Sequence, residues 1–195
     1  MKTAVYFDVG GVLIPDHLGP TTALATFIEI SPKLGLDPIK AVSIFRAMQT
    51  RMDEGLLGVD DLSSALGVPS TKLTEALWPS DPFIPSRLDF VRRVSAAGHP
   101  VGLATNFHAD WLERIIEQNG SLPAFDAMCV SSRIGKVKPN LDFYLEATKL
   151  IGSDDVIFID DRQINLDGAA LAGWRTILAE GEWEPKLLEA LGLLD

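Results

Sequence analysis

Four short apolar runs, "TAVYF" (3–7), "VGLAT" (101–105), "AMCVS" (127–131) and "VIFID" (156–160), leave this chain few folds to choose from. Each is rich in Val, Ile or aromatic residues and none alternates polar with apolar, so each reads as a strand covered on both faces. "RTILA" (175–179) is a weaker fifth. Between them, "SRLDFVRRVSAAG", "ADWLERIIEQNG", "LDFYLEATKLIG" and "NLDGAALAG" space their apolar residues by three and four and end at glycine, as helices do. Strand and helix in repetition predict an α/β fold, a doubly wound parallel sheet with helices on both faces.

The segment 16–85 breaks the alternation. "TALATFIEI", "DPIKAVSIFRAMQTRM", "VDDLSSAL" and "STKLTEAL" are amphipathic helical patterns with no strand among them. Asp37 stands in cap position before Pro38, and Ser70 or Thr71 is available to cap the last of these helices. The expected organisation is a core of 1–15 and 86–195 with a small helical lobe, 16–85, inserted after the first strand. "WPSDPFIPS" (78–86), with three prolines, reads as a stiff hinge on the return. A length of 195 residues with 47% apolar content suits one core of ordinary size plus such an insertion.

A formal charge of −10 repels phosphate backbones and anionic lipid, which argues against nucleic acid and membrane partners. The apolar run at the amino terminus is cut by Asp8 and lacks a small-residue cleavage site, and no later stretch has the length of a bilayer span, so a cytoplasmic protein is expected. Cys129, the single cysteine, excludes an internal disulfide and a cysteine metal cluster, and reads as a core residue.

Ligands of open parallel sheets bind at the carboxyl ends of the strands. Here the first strand ends in Asp8, the second in Thr105 and Asn106, the third leads through "SSRIGKVKPN" to Lys136 and Lys138, and the fourth ends in Asp160 and Asp161 with Asn165 close behind. Carboxylates converging in a partly dry crevice repel one another by several kcal/mol, and a hard divalent cation relieves this. Oxygen donors without His or Cys favour Mg²⁺, which also binds phosphate oxygens. Lys138 supplies the positive charge a phosphate needs, and Thr105 with the N–H groups of Asn106 and Gly10 supplies donors. Singly, each residue has a plainer reading: Asp8 a turn former, Thr105 and Asn106 an ordinary turn, Lys138 a solvated loop lysine, Asp160 and Asp161 helix caps. Their order, one group at the end of each successive strand, has no such explanation.

On these residues the sequence resembles the haloacid dehalogenase-like hydrolases, a superfamily of mostly Mg²⁺-dependent phosphatases. "FDVGGVLI" looks like the first motif, "LATN" the second, "IGKVKPNLDFY" the third and "FIDDRQINLDGAALAG" the fourth. The resemblance implies a Rossmann-like core with the insertion as a small helical cap. It also implies Asp8 as covalent nucleophile, Thr105 on the phosphoryl group, and Lys138 rather than Lys136 beside nucleophile and phosphate. Mg²⁺ would be held by Asp8, the Gly10 carbonyl and Asp161, with Asp160 and Asn165 behind them, and the substrate would be a small phosphorylated metabolite such as a sugar phosphate.

The second motif-one acid usual in those phosphatases is replaced here by Gly10, and losing positioned acid–base help costs about 10²–10⁴-fold. Asp16 and His17, at the mouth of the insertion, are candidate substitutes, with the start of a linker as their plainer reading. Two alternatives stay open: a 2-haloacid dehalogenase-type hydrolase, whose halide leaves without a proton, and a fold of this kind kept for binding or regulation. Arg46, Met48 and Arg51 lie on the inserted helix expected over the site, either facing it or in solvent. Phe107 and Trp111 read first as core and second as pocket wall.

Overall fold

The computed structural model describes residues 2–19, 22–78, 83–119 and 122–194. In chain order its elements are β1 (Ala4–Phe7), α1 (Ala23–Leu34), α2 (Pro38–Asp53), α3 (Val59–Leu66), α4 (Ser70–Leu77), α5 (Pro85–Ala96), β2 (Val101–Thr105) and α6 (Ala109–Asn119). There follow β3 (Ala127–Val130), α7 (Ser131–Ile134), α8 (Leu141–Ile151), β4 (Val156–Asp160), α9 (Gln163–Leu171), β5 (Arg175–Leu178) and α10 (Glu184–Leu191). All strands run parallel in the order β3-β2-β1-β4-β5. The chain reverses direction across the sheet at β1, which makes the end of β1 the topological switch point where such sheets bind ligands. Phe7 pairs with Leu103 on one side and Ile159 on the other, so the residue after β1 emerges between the ends of β2 and β4.

The pleat divides the core in two. Val5 and Phe7 of β1 join Leu103, Ile157 and Ile159 in a layer closed by α5, α6 and α10. Ala4 and Tyr6 face the other way, with Phe158, Phe143, Tyr144 and Trp174 beneath α8 and α9, and Tyr6 stacks on Trp174 with ring centroids 5.4 Å apart. Both faces are covered, which is why the first four runs show no alternation. β5 is an edge strand with Arg175 exposed and its other residues half-buried, and its signal in the sequence is correspondingly weak. Buried Cys129 belongs to the second layer, where burial pushes its thiol up to about 12.

The inserted helices α1–α4 pack on one another, and Phe27, Phe45, Leu62 and Leu73 continue the first core layer without a break. Asp37 caps α2 by accepting the Lys40 N–H at 2.7 Å. The cap expected of Ser70 or Thr71 does not form: Pro69, extended at φ −60° and ψ 138°, takes the cap position and puts both residues inside α4. Where the chain leaves and re-enters the core, the Ile84 N–H donates to the Leu13 carbonyl at 2.9 Å. The middle of the expected hinge, residues 79–82, lies outside the described residues. Among the described residues no helix is long and apolar enough to cross a membrane.

Gly168 lets α9 lie directly on the segment that leads into α8, since a Cβ there would collide with the Pro139 carbonyl and press on the Tyr144 ring. Gly168→Ala is therefore expected to lower stability by about 1–3 kcal/mol, read as a shift of the urea midpoint at unchanged m-value.

Candidate active site

Asp8 enters the crevice directly from β1 and is almost wholly buried. Its Oδ1 accepts the Val9 N–H at 2.7 Å, its Oδ2 lies 3.0 Å from Lys138 Nζ, and the Thr105 hydroxyl donates to it. The chain then turns over residues 9–14, anchored by buried Val12, Leu13 and Ile14. The hydrogen bonds of this turn run to the Val9 and Ile14 carbonyls, and none uses the carbonyl of Gly10. Gly11 has φ 73° and faces the Asp161 carboxylate so closely that a side chain there would overlap it, so both backbone and packing demand glycine.

Lys138, buried with its peptide bond to Pro139 cis, is held from all sides. An ammonium has three protons to donate, and here three acceptors receive them: Asp160 Oδ2 at 2.6 Å, the Ala104 carbonyl at 2.9 Å and Asp8 Oδ2 at 3.0 Å. Asn106 fixes its backbone, with Oδ1 accepting the Lys138 N–H at 2.8 Å and Nδ2 donating to the Lys138 carbonyl at 3.0 Å. The Asn106 side chain is thus committed to placing Lys138, which leaves the backbone N–H for a ligand. Ser131 and Ser132 of α7 accept the N–H groups of Phe107 and Ala109 at 3.2 and 2.9 Å and pin the loop after β2. Lys136 points elsewhere, to Glu146 at 3.2 Å.

The two acids after β4 have different surroundings. Asp160 is fully buried and accepts from Lys138, from the Arg162 N–H at 2.8 Å and from Asn165 Nδ2 at 3.0 Å to each oxygen. Asn165 is steadied in turn by the Tyr144 hydroxyl, 2.6 Å from its carbonyl, and its own Oδ1 is buried with no donor among the described residues. Asp161 stays half-buried against Gly11, open to the crevice. Ligand oxygens of Asp8, Asp160 and Asp161 all lie within 4.8 Å of one another. Three carboxylates thus face one ammonium. Burial holds Asp8 above the usual carboxylate range, with Asp160 adding to the effect and Lys138 and Thr105 opposing it. Burial, then Asp160 and Asp16, push Asp161 up to about 6. Burial opposes the charge of Lys138, but Asp160 and Asp8 outweigh it and raise the ammonium pKa.

Above these groups lies a cleft enclosing about 840 Å³, partly open to solvent. One face of α2 forms its roof with Phe45, Gln49, Met52 and Asp53, at helical spacing. Arg46 and Arg51 lie off that face and are exposed, and Met48 packs on the core. Trp78 centres an aromatic wall, its ring centroid 5.4 Å from His17, 5.8 Å from Phe107 and 6.4 Å from Trp111. Phe107 and Trp111 are thus core and pocket wall at once. Asp16 and His17 also border the cleft. Sequence reasoning passed over Asp53, Gln49 and Arg162; the heptad-like recurrence of 45, 49 and 52 was the available signal.

Carboxyl groups whose folded pKa is raised stabilise the protein below their unfolded value near 3.9 and lose that contribution as pH climbs through the folded value. In metal-free protein the thermal midpoint is expected to fall between about pH 4 and pH 7, and Asp161→Asn to flatten the fall. Glu146 and Asp155, held low by their partners, act in the opposite sense, stabilising the protein as they ionise.

A family model described as haloacid dehalogenase-like hydrolase matches residues 2–173. No curated protein matches the chain. Among solved structures, a HAD family enzyme from Bacteroides thetaiotaomicron, in complex with magnesium and inorganic phosphate, is 18% identical at TM-score 0.71, covering 94% of this chain and 98% of that one. A HAD phosphatase from Thermococcus onnurineus is 17% identical at TM-score 0.70, covering 98% of both chains. L-2-haloacid dehalogenase from Xanthobacter autotrophicus is 17% identical at TM-score 0.64, covering 98% of this chain and 83% of that one.

Proposed function

The chain belongs to the haloacid dehalogenase-like hydrolases, and we propose that within that family it is a Mg²⁺-dependent phosphatase acting on a small phosphorylated metabolite in the cytoplasm, the inserted helices serving as its cap. The carrying observation is the buried Asp8–Lys138 pair, 3.0 Å apart, with a second open carboxylate, Asp161, in reach. The donor set fits a hard cation: oxygen ligands only, more carboxylate charge than Lys138 can balance, and a Gly10 carbonyl with no hydrogen bond among the described residues. Asp8, Asp161 and the Gly10 carbonyl would hold Mg²⁺, which would orient the phosphate and offset its charge. The magnesium and phosphate found in the Bacteroides enzyme support the same reading.

Asp8 attacks phosphorus as a carboxylate, and Lys138 keeps that carboxylate in place and favours its ionised form against burial. Because the three Lys138 donors are already engaged, its effect on the phosphate is chiefly that of a nearby fixed charge. The backbone N–H of Asn106 and the Thr105 hydroxyl, once it turns from Asp8, bond the equatorial oxygens, and water then releases phosphate from the aspartyl-phosphate. The cap excludes bulk water and shapes the leaving-group side.

Gly10 favours one second reading, halide displacement, because a halide leaves without a proton. One assay separates the two. Phosphate release from a panel of small esters is expected to require Mg²⁺ and to fall about 10⁴-fold or more in Asp8→Asn. Halide release from 2-haloacids with no ester hydrolysis would instead support the second reading. Mg²⁺ is also expected to raise the thermal midpoint more at pH 7 than at pH 5, since it binds the ionised acids.

A further inference from the structure

An alkyl phosphate leaves as an alcohol only if its bridging oxygen gains a proton, and position 10 has none to give. Among the described residues the space beside it is open: a Cβ built on Gly10 meets only Asp16 Oδ1, at 3.9 Å. Among the described residues, two carboxyl groups from the inserted segment border the cleft, Asp16 and Asp53. Asp16 is committed to its own loop. Its Oδ1 accepts the Gly19 N–H at 2.8 Å and its Oδ2 the Thr22 hydroxyl at 3.2 Å, and the carboxylate lies so close over Gly19 that a side chain there would collide with it.

Asp53 differs on each count. No hydrogen bond engages its carboxyl group among the described residues, and it ends α2, on the face that roofs the cleft. That end of α2 is seated on the core, because Gly55 lies so near the Ser132 carbonyl of α7 that a Cβ would overlap it. The carboxyl is therefore placed by a packed contact between insertion and core, over the cleft that holds Asp8 and Lys138. We infer that Asp53 is the acid–base residue of this site, serving the leaving group from the cap side. This inference rests on the phosphatase reading and supplies the group that reading lacks.

In the first step an Asp8 oxygen forms a bond to phosphorus, the bond to the leaving oxygen breaks with its electron pair, and that oxygen takes the Asp53 proton. In the second, water attacks phosphorus and gives a proton to the Asp53 carboxylate, and the Asp8–phosphorus bond breaks with its electrons returning to Asp8. Asp53 ends protonated, as it began. The charged groups acting on it are Arg162 from the loop after β4, Lys138 from the loop after α7, and Glu54 beside it. Burial is the largest influence and, against the pull of Arg162 and Lys138, pushes it up to about 7, where an acid can both give and recover a proton at neutral pH.

The test compares two esters with Mg²⁺ present: p-nitrophenyl phosphate, whose phenolate leaves with little help, and a primary alkyl phosphate. Asp53→Asn is expected to lower kcat/KM about 10²–10⁴-fold on the alkyl ester and less than tenfold on the aryl one. It should also abolish the wild-type decline of alkyl kcat/KM above about pH 7, while Asp53→Glu regains part of the rate. An unfolding midpoint at or above wild type shows that Asp53→Asn is folded. Equal losses on both esters, or a leaving-group-selective loss in Asp16→Asn or His17→Asn instead, would overturn the role of Asp53 and leave the phosphatase reading standing. No phosphate release by the wild type from either ester would overturn that reading and this inference with it.

Discussion

The ammonium of Lys138, shared among Asp8, Asp160 and the Ala104 carbonyl, is the interaction on which the site depends. Burying three charges is unfavourable unless each finds partners, and every polar contact nearby answers that demand. Asn106 grips the backbone of Lys138, Asn165 and the Arg162 N–H grip Asp160, and Tyr144 grips Asn165. Removing the ammonium would strand two buried carboxylates side by side, so the lysine holds the end of the sheet together.

That network also explains why two consecutive acids follow β4. Asp160 is fully buried and saturated by donors, whereas Asp161, one residue on, is half-buried against Gly11 and open to the cleft. Strand alternation alone produces this division: of two neighbours at a strand end, one turns inward and the other outward. The inward acid stabilises the ammonium and the outward one is free for a cation. Such a division needs no special loop, only a strand that stops at the right residue.

The core was legible in the sequence because a buried parallel strand leaves an unmistakable run of apolar residues, and the polar residue after each run must then stand at the ligand-binding edge. Asp8, Thr105 and the pair Asp160 and Asp161 stand out in that way, whereas the choice of Lys138 over Lys136 came from the family resemblance. α7 was not, since four residues show no periodicity, and α10 lies after the last strand where no further alternation frames it. Ser131 was read as the end of a strand, yet it begins α7, where its hydroxyl positions the Phe107 N–H.

The segment α1–α4 was legible as helices and silent as chemistry. Which face of α2 turns to the cleft depends on how α2 packs against α1, α3 and α7, a matter of tertiary contacts that a single amphipathic pattern underdetermines. Arginines attract attention in a sequence as phosphate binders, but Arg46 and Arg51 fall beside the buried stripe of Ala41, Val42, Phe45 and Met52 rather than on the roof. Asp53 ends α2, where a carboxylate opposes the helix dipole and is ordinarily unfavourable. Its placement there, half-buried, without a hydrogen bond among the described residues and lining the cleft, breaks a local rule with no structural gain in return. Local rules are broken in this way chiefly where a site requires it, and that makes the end of α2 the place where the inserted helices meet the chemistry of the sheet.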